Sequence, residues 1–162
     1  MNHGNQEEID TILEQTEKLD FLIQSLVKLS RMESGIIAVH SEDTTIKQML
    51  ESIQQQFNVK VREKNITLSL CDTDLHVRCD SKWTVEALGN IVDNAIKYTP
   101  EGGKVQLKVE KYSSFVKVDV IDDGIGIKKE EIPKIFGRFY RSLSVADQPG
   151  VGVGLFLARE II

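Results

Sequence analysis

The amino-acid sequence predicts an α+β fold: a two-layer α/β sandwich, helices on one face of a largely antiparallel sheet, preceded by a long helix. Three observations carry that prediction. Residues 6–33 contain no Pro or Gly and repeat apolar side chains at helical spacing. Residues 81–98 do the same, with Val85, Leu88, Val92, Ala95 and Ile96 on one side. Two short segments then alternate apolar and polar residues, Val105, Leu107 and Val109 in the first and Val116, Val118 and Val120 in the second.

In the first helix, Ile9, Ile12, Thr16, Leu19, Ile23 and Leu26 follow an alternating three-four spacing, and Leu22 and Leu29 widen the stripe. Glu14, Glu17, Lys18, Asp20 and Lys28 lie opposite, and Gly35 is the expected stop. About 28 helical residues span about 42 Å at 1.5 Å per residue, too long for one small core to cover. The stripe is therefore expected to pack against another molecule. Residues 40–45 read as a polar connector, and Ile46 to Phe57 as a second amphipathic helix. Ile66, Leu68 and Leu70 alternate as a half-buried strand. Asp80 is placed to cap the helix that follows it. Thr99–Gly103 and Ser113–Ser114 are turns. Residues 1–40 thus form a helical segment and 41–162 the sandwich, and the chain closes on an apolar helical pattern at Ile162.

Composition narrows the function. With 162 residues, 41% hydrophobic and 28% charged, the chain is an ordinary soluble type. A net charge of -5 gives nucleic-acid binding no electrostatic support. No stretch approaches the roughly 18 apolar residues of a membrane span. Cys71 and Cys79 are expected as reduced thiols.

Four motifs carry chemistry. Glu86, Asn90, Asn94 and Lys97 share one helix face. Asparagine is poor in a helix interior unless its amide is used, and an amide oxygen is a neutral hard ligand suited to Mg²⁺. Lys97 reaches phosphate as a point charge. The plain alternative is a solvated face with two surface asparagines. Asp122-Asp123-Gly124-Ile125-Gly126 follows a strand; a buried carboxylate there can accept from an exocyclic amine, or the segment is simply a turn. In Phe136-Gly137-Arg138-Phe139-Tyr140-Arg141 the two phenylalanines are expected to anchor a lid, with the arginines toward phosphate; a short amphipathic helix is the bland reading. Gly150-Val-Gly152-Val-Gly154-Leu155 opens a helix, an arrangement that offers free N–H groups to anions. Residues 142–150 read as a mobile lid.

Taken together, in this order and spacing, the motifs closely resemble the N, G1, F and G2 boxes of sensor histidine kinases, over roughly Ile46 to Ile162. Leu19 to Gly35 resembles the second helix of that family's dimerisation and phosphoacceptor hairpin. The resemblance implies a Bergerat-type ATP-binding fold, shared with gyrase-type and Hsp90-type ATPases, and ATP and Mg²⁺ as cofactors. It implies Asn94 as the main metal ligand, with Asn90 beside the metal and phosphates. Lys97, Tyr98 and Ile127 border the nucleotide, Asp122 holds the adenine amine, and Gly124 and Gly126 shape that wall. Arg138 and Arg141 approach the phosphates, which Gly150, Gly152, Gly154 and Leu155 wrap. Asn90, Lys97 and Arg138 are the implied catalytic set. The implied partners are a response regulator receiver domain, a phosphoacceptor hairpin and a second copy through the first helix, with neither nucleic acid nor membrane contacted by these residues. The implied setting is a cytoplasmic domain; whether the parent is anchored in the bacterial inner membrane is left open.

The chain departs from the family pattern in places. The phosphoacceptor is a His followed by an acid; here His3, His40 and His76 lack that context. This chain is therefore expected not to phosphorylate itself. Asp123 stands where Asn is commoner, and Gly137 where Glu is common. A final β-hairpin of the family has no counterpart, which leaves an open sheet edge. Three alternatives remain. The first is a serine kinase of the anti-sigma type on the same fold. The second is a non-catalytic dimerising module. The third is gyrase-like hydrolysis, which needs a Glu at the place of Asn90.

Overall fold

The computed structural model describes residues 3–33, 39–145, 148 and 150–162. In chain order it contains α1 (His3–Glu33), β1 (Glu42–Thr45), α2 (Ile46–Glu63), β2 (Thr67–Leu70), β3 (His76–Cys79), α3 (Ser81–Tyr98), β4 (Lys104–Lys111), β5 (Val116–Asp122) and α4 (Gly154–Ile161). The three-stranded sheet has the order β2-β4-β5. β2 and β4 run parallel, whereas β4 and β5 form an antiparallel hairpin that sets Leu107 opposite Val120 and Val105 opposite Asp122.

The core lies between this sheet and two helices. Met49, Leu50, Ile53 and Phe57 of α2 and Leu88, Val92 and Ile96 of α3 meet Val105 and Leu107 of β4. Inward residues recur every three or four positions along the helices and every second position along the strand, so one face of each element is removed from water. The predicted α+β sandwich is present, with one parallel pairing in it.

Two readings of the sequence need correction. The stretch expected as a polar connector contains β1, which pairs antiparallel with β3. A ladder needs only backbone groups, and a two-stranded ribbon with one wet face tolerates polar side chains. Only Thr44, opposite Val77, is buried in it. The helix expected to stop at Phe57 continues to Glu63. Val59 is exposed and interrupts the apolar stripe, but Val61 resumes packing against the core.

Along α1, Ile9, Ile12, Leu19, Ile23 and Leu26 are all exposed and Leu22 is half-buried, so most of the apolar stripe is uncovered among the described residues. Lys28 ties α1 to the sandwich through an ion pair with Glu86, Nζ to Oε1 2.6 Å. The side chains of Glu14, Glu17, Lys18 and Leu29 and the expected helix stop at Gly35 lie outside the described residues. Cys71 and Cys79 are free thiols. No helix among the described residues is long and apolar enough to cross a membrane.

Asp80 caps α3 as expected. Its Oδ1 accepts the Trp83 N–H at 3.1 Å, and its Oδ2 accepts the His40 N–H at 2.9 Å. These two bonds favour the carboxylate and hold its pKa below the usual value. The lowered folded pKa means that the cap's contribution is present above the unfolded carboxylate range and is lost as pH falls through the folded value. Asp80→Ala is expected to cost about 1 kcal/mol at neutral pH. Thermal unfolding at pH 7 and at pH 3 checks it, because the difference between variant and parent should shrink in acid.

Candidate functional site

Three of the four motifs meet at the C-terminal half of α3. Val153, Leu157 and Ala158 are buried and seat α4 there, which brings the glycine-rich turn against the asparagine face. A Cβ built on Gly154 would lie 3.3 Å from Oδ1 of Asn90, so any side chain there would press on that amide. Asn90 is oriented by its own helix, donating from Nδ2 to the Glu86 carbonyl at 3.0 Å. Asn94, half-buried one turn later, hydrogen-bonds to none of the described residues. The Lys97 ammonium lies 4.8 Å from the Tyr98 ring centre, and a Cβ on Gly150 would come within 2.7 Å of its Nζ. The Asn90 amide, the Lys97 ammonium and the start of α4 thus lie against one another, with Asn94 one turn along the same helix.

The aspartate motif borders the same helix end. Asp122 closes β5, and its Oδ1 accepts the Gly124 N–H at 2.8 Å. A Cβ on Gly124 would lie 3.0 Å from the Tyr98 carbonyl oxygen, so the turn packs on backbone there. The expectation of a buried carboxylate is corrected: Asp122 is exposed, because it is the last residue of its strand and no element covers it. Asp123 is structural, accepting the Lys104 N–H at 3.1 Å. Ile125 and Ile127 are also exposed.

Phe136 and Phe139 do not enter the core; they are 37% and 48% exposed. The contact that anchors this segment is made instead by Gly152, which has φ 77°; a Cβ there would lie 2.4 Å from the Tyr140 carbonyl oxygen. Burial and a hydrogen bond to Glu131 push the Tyr140 phenol pKa up. Arg138 stacks on Phe156, 5.0 Å from its ring centre. Arg141 donates to the carbonyls of Val145, at 2.9 Å, and Gln148, and so braces the segment expected to be a lid. Positions 146, 147 and 149 of that segment lie outside the described residues. Leu155 is half-buried in the first turn of α4.

Two residues of the site escaped the sequence reading. Lys64, at the end of α2, donates to the carbonyls of Ile96 and Lys97 at 3.0 and 2.7 Å, and so caps α3 from outside. Thr99, just after α3, is fully buried with an unpaired hydroxyl. An open pocket of about 290 Å³ lies beside the aspartate turn and the end of α3, lined by Lys64, Tyr98, Thr99, Asp123, Gly124 and Ile125 among others.

The profile of the histidine kinase-, DNA gyrase B-, and HSP90-like ATPase family matches residues 79–162. The chain is 33% identical to the sensor histidine kinase WalK of Bacillus subtilis over 153 residues, covering 91% of this chain and 25% of that protein. It is 30% identical to the sensor protein kinase PmrB of Pseudomonas aeruginosa over 146 residues, covering 90% and 31%. It therefore spans about a quarter to a third of these relatives. Among solved structures, the catalytic domain of histidine kinase ThkA superposes with a TM-score of 0.67 at 30% identity, covering 76% of this chain and 80% of that one.

Proposed function

The chain belongs to the histidine kinase-, DNA gyrase B-, and HSP90-like ATPase family, as an ATP-binding catalytic domain of the kind found in sensor histidine kinases, and we propose that it directs the γ-phosphoryl group of Mg-ATP onto a histidine of a helical hairpin. The observation that carries this reading is the convergence of Asn90, Lys97, Gly150 and Gly154 on one space beside the Asp122 turn.

Each residue has a definite task. Asp122 accepts a hydrogen bond from the adenine amine, and the nucleotide supplies the cover that this exposed carboxylate lacks. Asn94, with Asn90 beside it, would hold Mg²⁺, which when bound neutralises phosphate charge. The N–H groups at the start of α4 and the Lys97 ammonium meet the phosphate oxygens. Arg138 and Arg141 exchange their contacts with Phe156 and with the lid carbonyls for phosphate. In the transfer, the γ-phosphorus bonds to an imidazole nitrogen as its bond to the bridging oxygen breaks, and ADP leaves. The chain's contribution is positioning and electrostatic stabilisation. The exposed stripe of α1 supports pairing with a second copy into a hairpin bundle, whose phosphohistidine would pass its phosphoryl group to a response regulator receiver domain. Because His3, His40 and His76 lack the acceptor context, stable phosphohistidine is expected on a separate hairpin and not on this chain.

Calorimetric titration of ATP, with and without Mg²⁺, tests the reading. Asp122→Ala is expected to weaken ATP by about 10- to 100-fold, the loss of one charge-assisted hydrogen bond. Absence of binding by the folded parent chain, or an Asp122→Ala variant that binds like the parent, would refute the assignment.

A further inference from the structure

Thr99 has no exposed surface, and its hydroxyl oxygen hydrogen-bonds to none of the described residues. Buried polar groups are nearly always paired, so an unpaired one calls for a physical reason. A threonine at a helix end ordinarily turns its hydroxyl back onto the carbonyls of the preceding turn. Here those carbonyls are engaged. Ala95 O accepts the Thr99 N–H at 3.0 Å, and the carbonyls of Ile96 and Lys97 accept the Lys64 ammonium. Pro100 follows and brings no N–H. The threonine methyl faces Gly103, where a Cβ would lie 2.4 Å from Cγ2. The hydroxyl is therefore turned away from that contact, and Thr99 lines the pocket together with Tyr98, Gly124 and Ile125.

We propose that Thr99 is a further binding residue for the nucleotide: its hydroxyl takes its missing partner from the edge of the purine ring, next to the amine that Asp122 accepts. This rests on the nucleotide reading above. The chain bears an unsatisfied hydroxyl in the unliganded state and recovers the interaction on binding. Because the hydroxyl is sealed without ligand, the base reaches it by displacing the turn at Gly124 and Ile125, whose outer side is exposed at Ile125. Lys64 competes with the hydroxyl for the carbonyls of Ile96 and Lys97.

Stability and affinity must then respond to Thr99→Val with opposite signs. The isostere removes an unpaired hydroxyl, so the melting temperature of the unliganded chain should hold or rise. Its affinity for ATP should fall by about fivefold to tenfold, the worth of one neutral hydrogen bond. The same factor should appear with adenosine, since the contact is to the base. Thr99→Ser, which keeps the hydroxyl, should bind ATP within about twofold of the parent. If the valine variant folds poorly, Thr99→Ala gives the same affinity comparison. An ATP affinity unchanged in Thr99→Val, while Asp122→Ala has lost binding, overturns the proposal and leaves the nucleotide site standing. Equal losses in Thr99→Val and Thr99→Ser overturn it too, because shape and not the hydroxyl would then matter. A parent chain that binds no ATP removes both readings together.

Discussion

Asn94→Ala is expected to lower phosphoryl transfer to a separately supplied hairpin by about 100-fold or more, with an unchanged melting temperature. The size follows from the loss of the Mg²⁺ ligand proposed for Asn94 and with it of charge neutralisation at the phosphates, an effect comparable to one preorganised electrostatic contact, about 10²–10³ in rate. The unchanged stability follows from the side chain's surroundings. Asn94 is half-buried and bonds to none of the described residues, so truncation leaves no partner unsatisfied. Asn90 is different: its Nδ2 is tied to the Glu86 carbonyl, and its Oδ1 packs beside Gly154. Asn90→Ala should therefore disturb the seating of α4 as well. Incorporation of γ-labelled phosphate into the hairpin, beside thermal melts, separates the two effects. The phosphoproduct also decides between rivals: acid-labile, alkali-stable label marks histidine, and the reverse stability marks the serine of an anti-sigma-type kinase. An Asn94→Ala chain that transfers at the parent's rate would show that this amide is a surface residue.

Much of the fold was legible because its elements carry strong periodicity. Of the α3 stripe, Leu88, Val92, Ala95 and Ile96 are buried and Val85 is partly buried, while Ala87 and Gly89, outside the stripe, are buried as well. Val105 and Leu107, alternating in β4, are fully buried. β1 and β3 were illegible for the converse reason. Each is four residues long, β1 is polar, and β3 has only Val77 and Cys79 partly packed on the core. The site shows the same division. Motif residues within one element could be placed by spacing. Lys64 and Thr99 owe their roles to partners about thirty residues away or to the absence of any partner. No local pattern encodes that Lys64 competes with the Thr99 hydroxyl for the same carbonyls. Asp122 was misjudged as buried because sequence shows that a carboxylate ends a strand, but not whether anything covers it.

Gly152→Val is expected to abolish measurable ATP binding while lowering the melting temperature only modestly. Two costs coincide at this residue. Its φ of 77° lies in the left-handed region, where a β-branched residue is strained. A Cβ would also meet backbone on the facing segment, 2.4 Å from the Tyr140 carbonyl oxygen and 2.9 Å from the Phe139 carbonyl carbon. Backbone cannot rotate aside as a side-chain tip can, so the combined cost is about 2–5 kcal/mol. The chain has a cheaper response than unfolding. The segment around Phe136 and Phe139 is largely exposed and lies outside the main core, so it can separate from the glycine turn while the sandwich stays closed. That separation takes the arginines and the start of α4 out of register with Lys97 and Asn90, and the proposed phosphate site is lost. Gly102, which the nucleotide reading does not use, supplies the control. Its φ is 75°, but a Cβ there meets nothing within 4 Å, so Gly102→Ala carries backbone strain alone, about 1 kcal/mol. Calorimetry and thermal melts on both variants check the pair. A Gly152→Val chain that binds ATP normally would mean that the contact between the glycine turn and the Tyr140 segment does not hold the nucleotide site together.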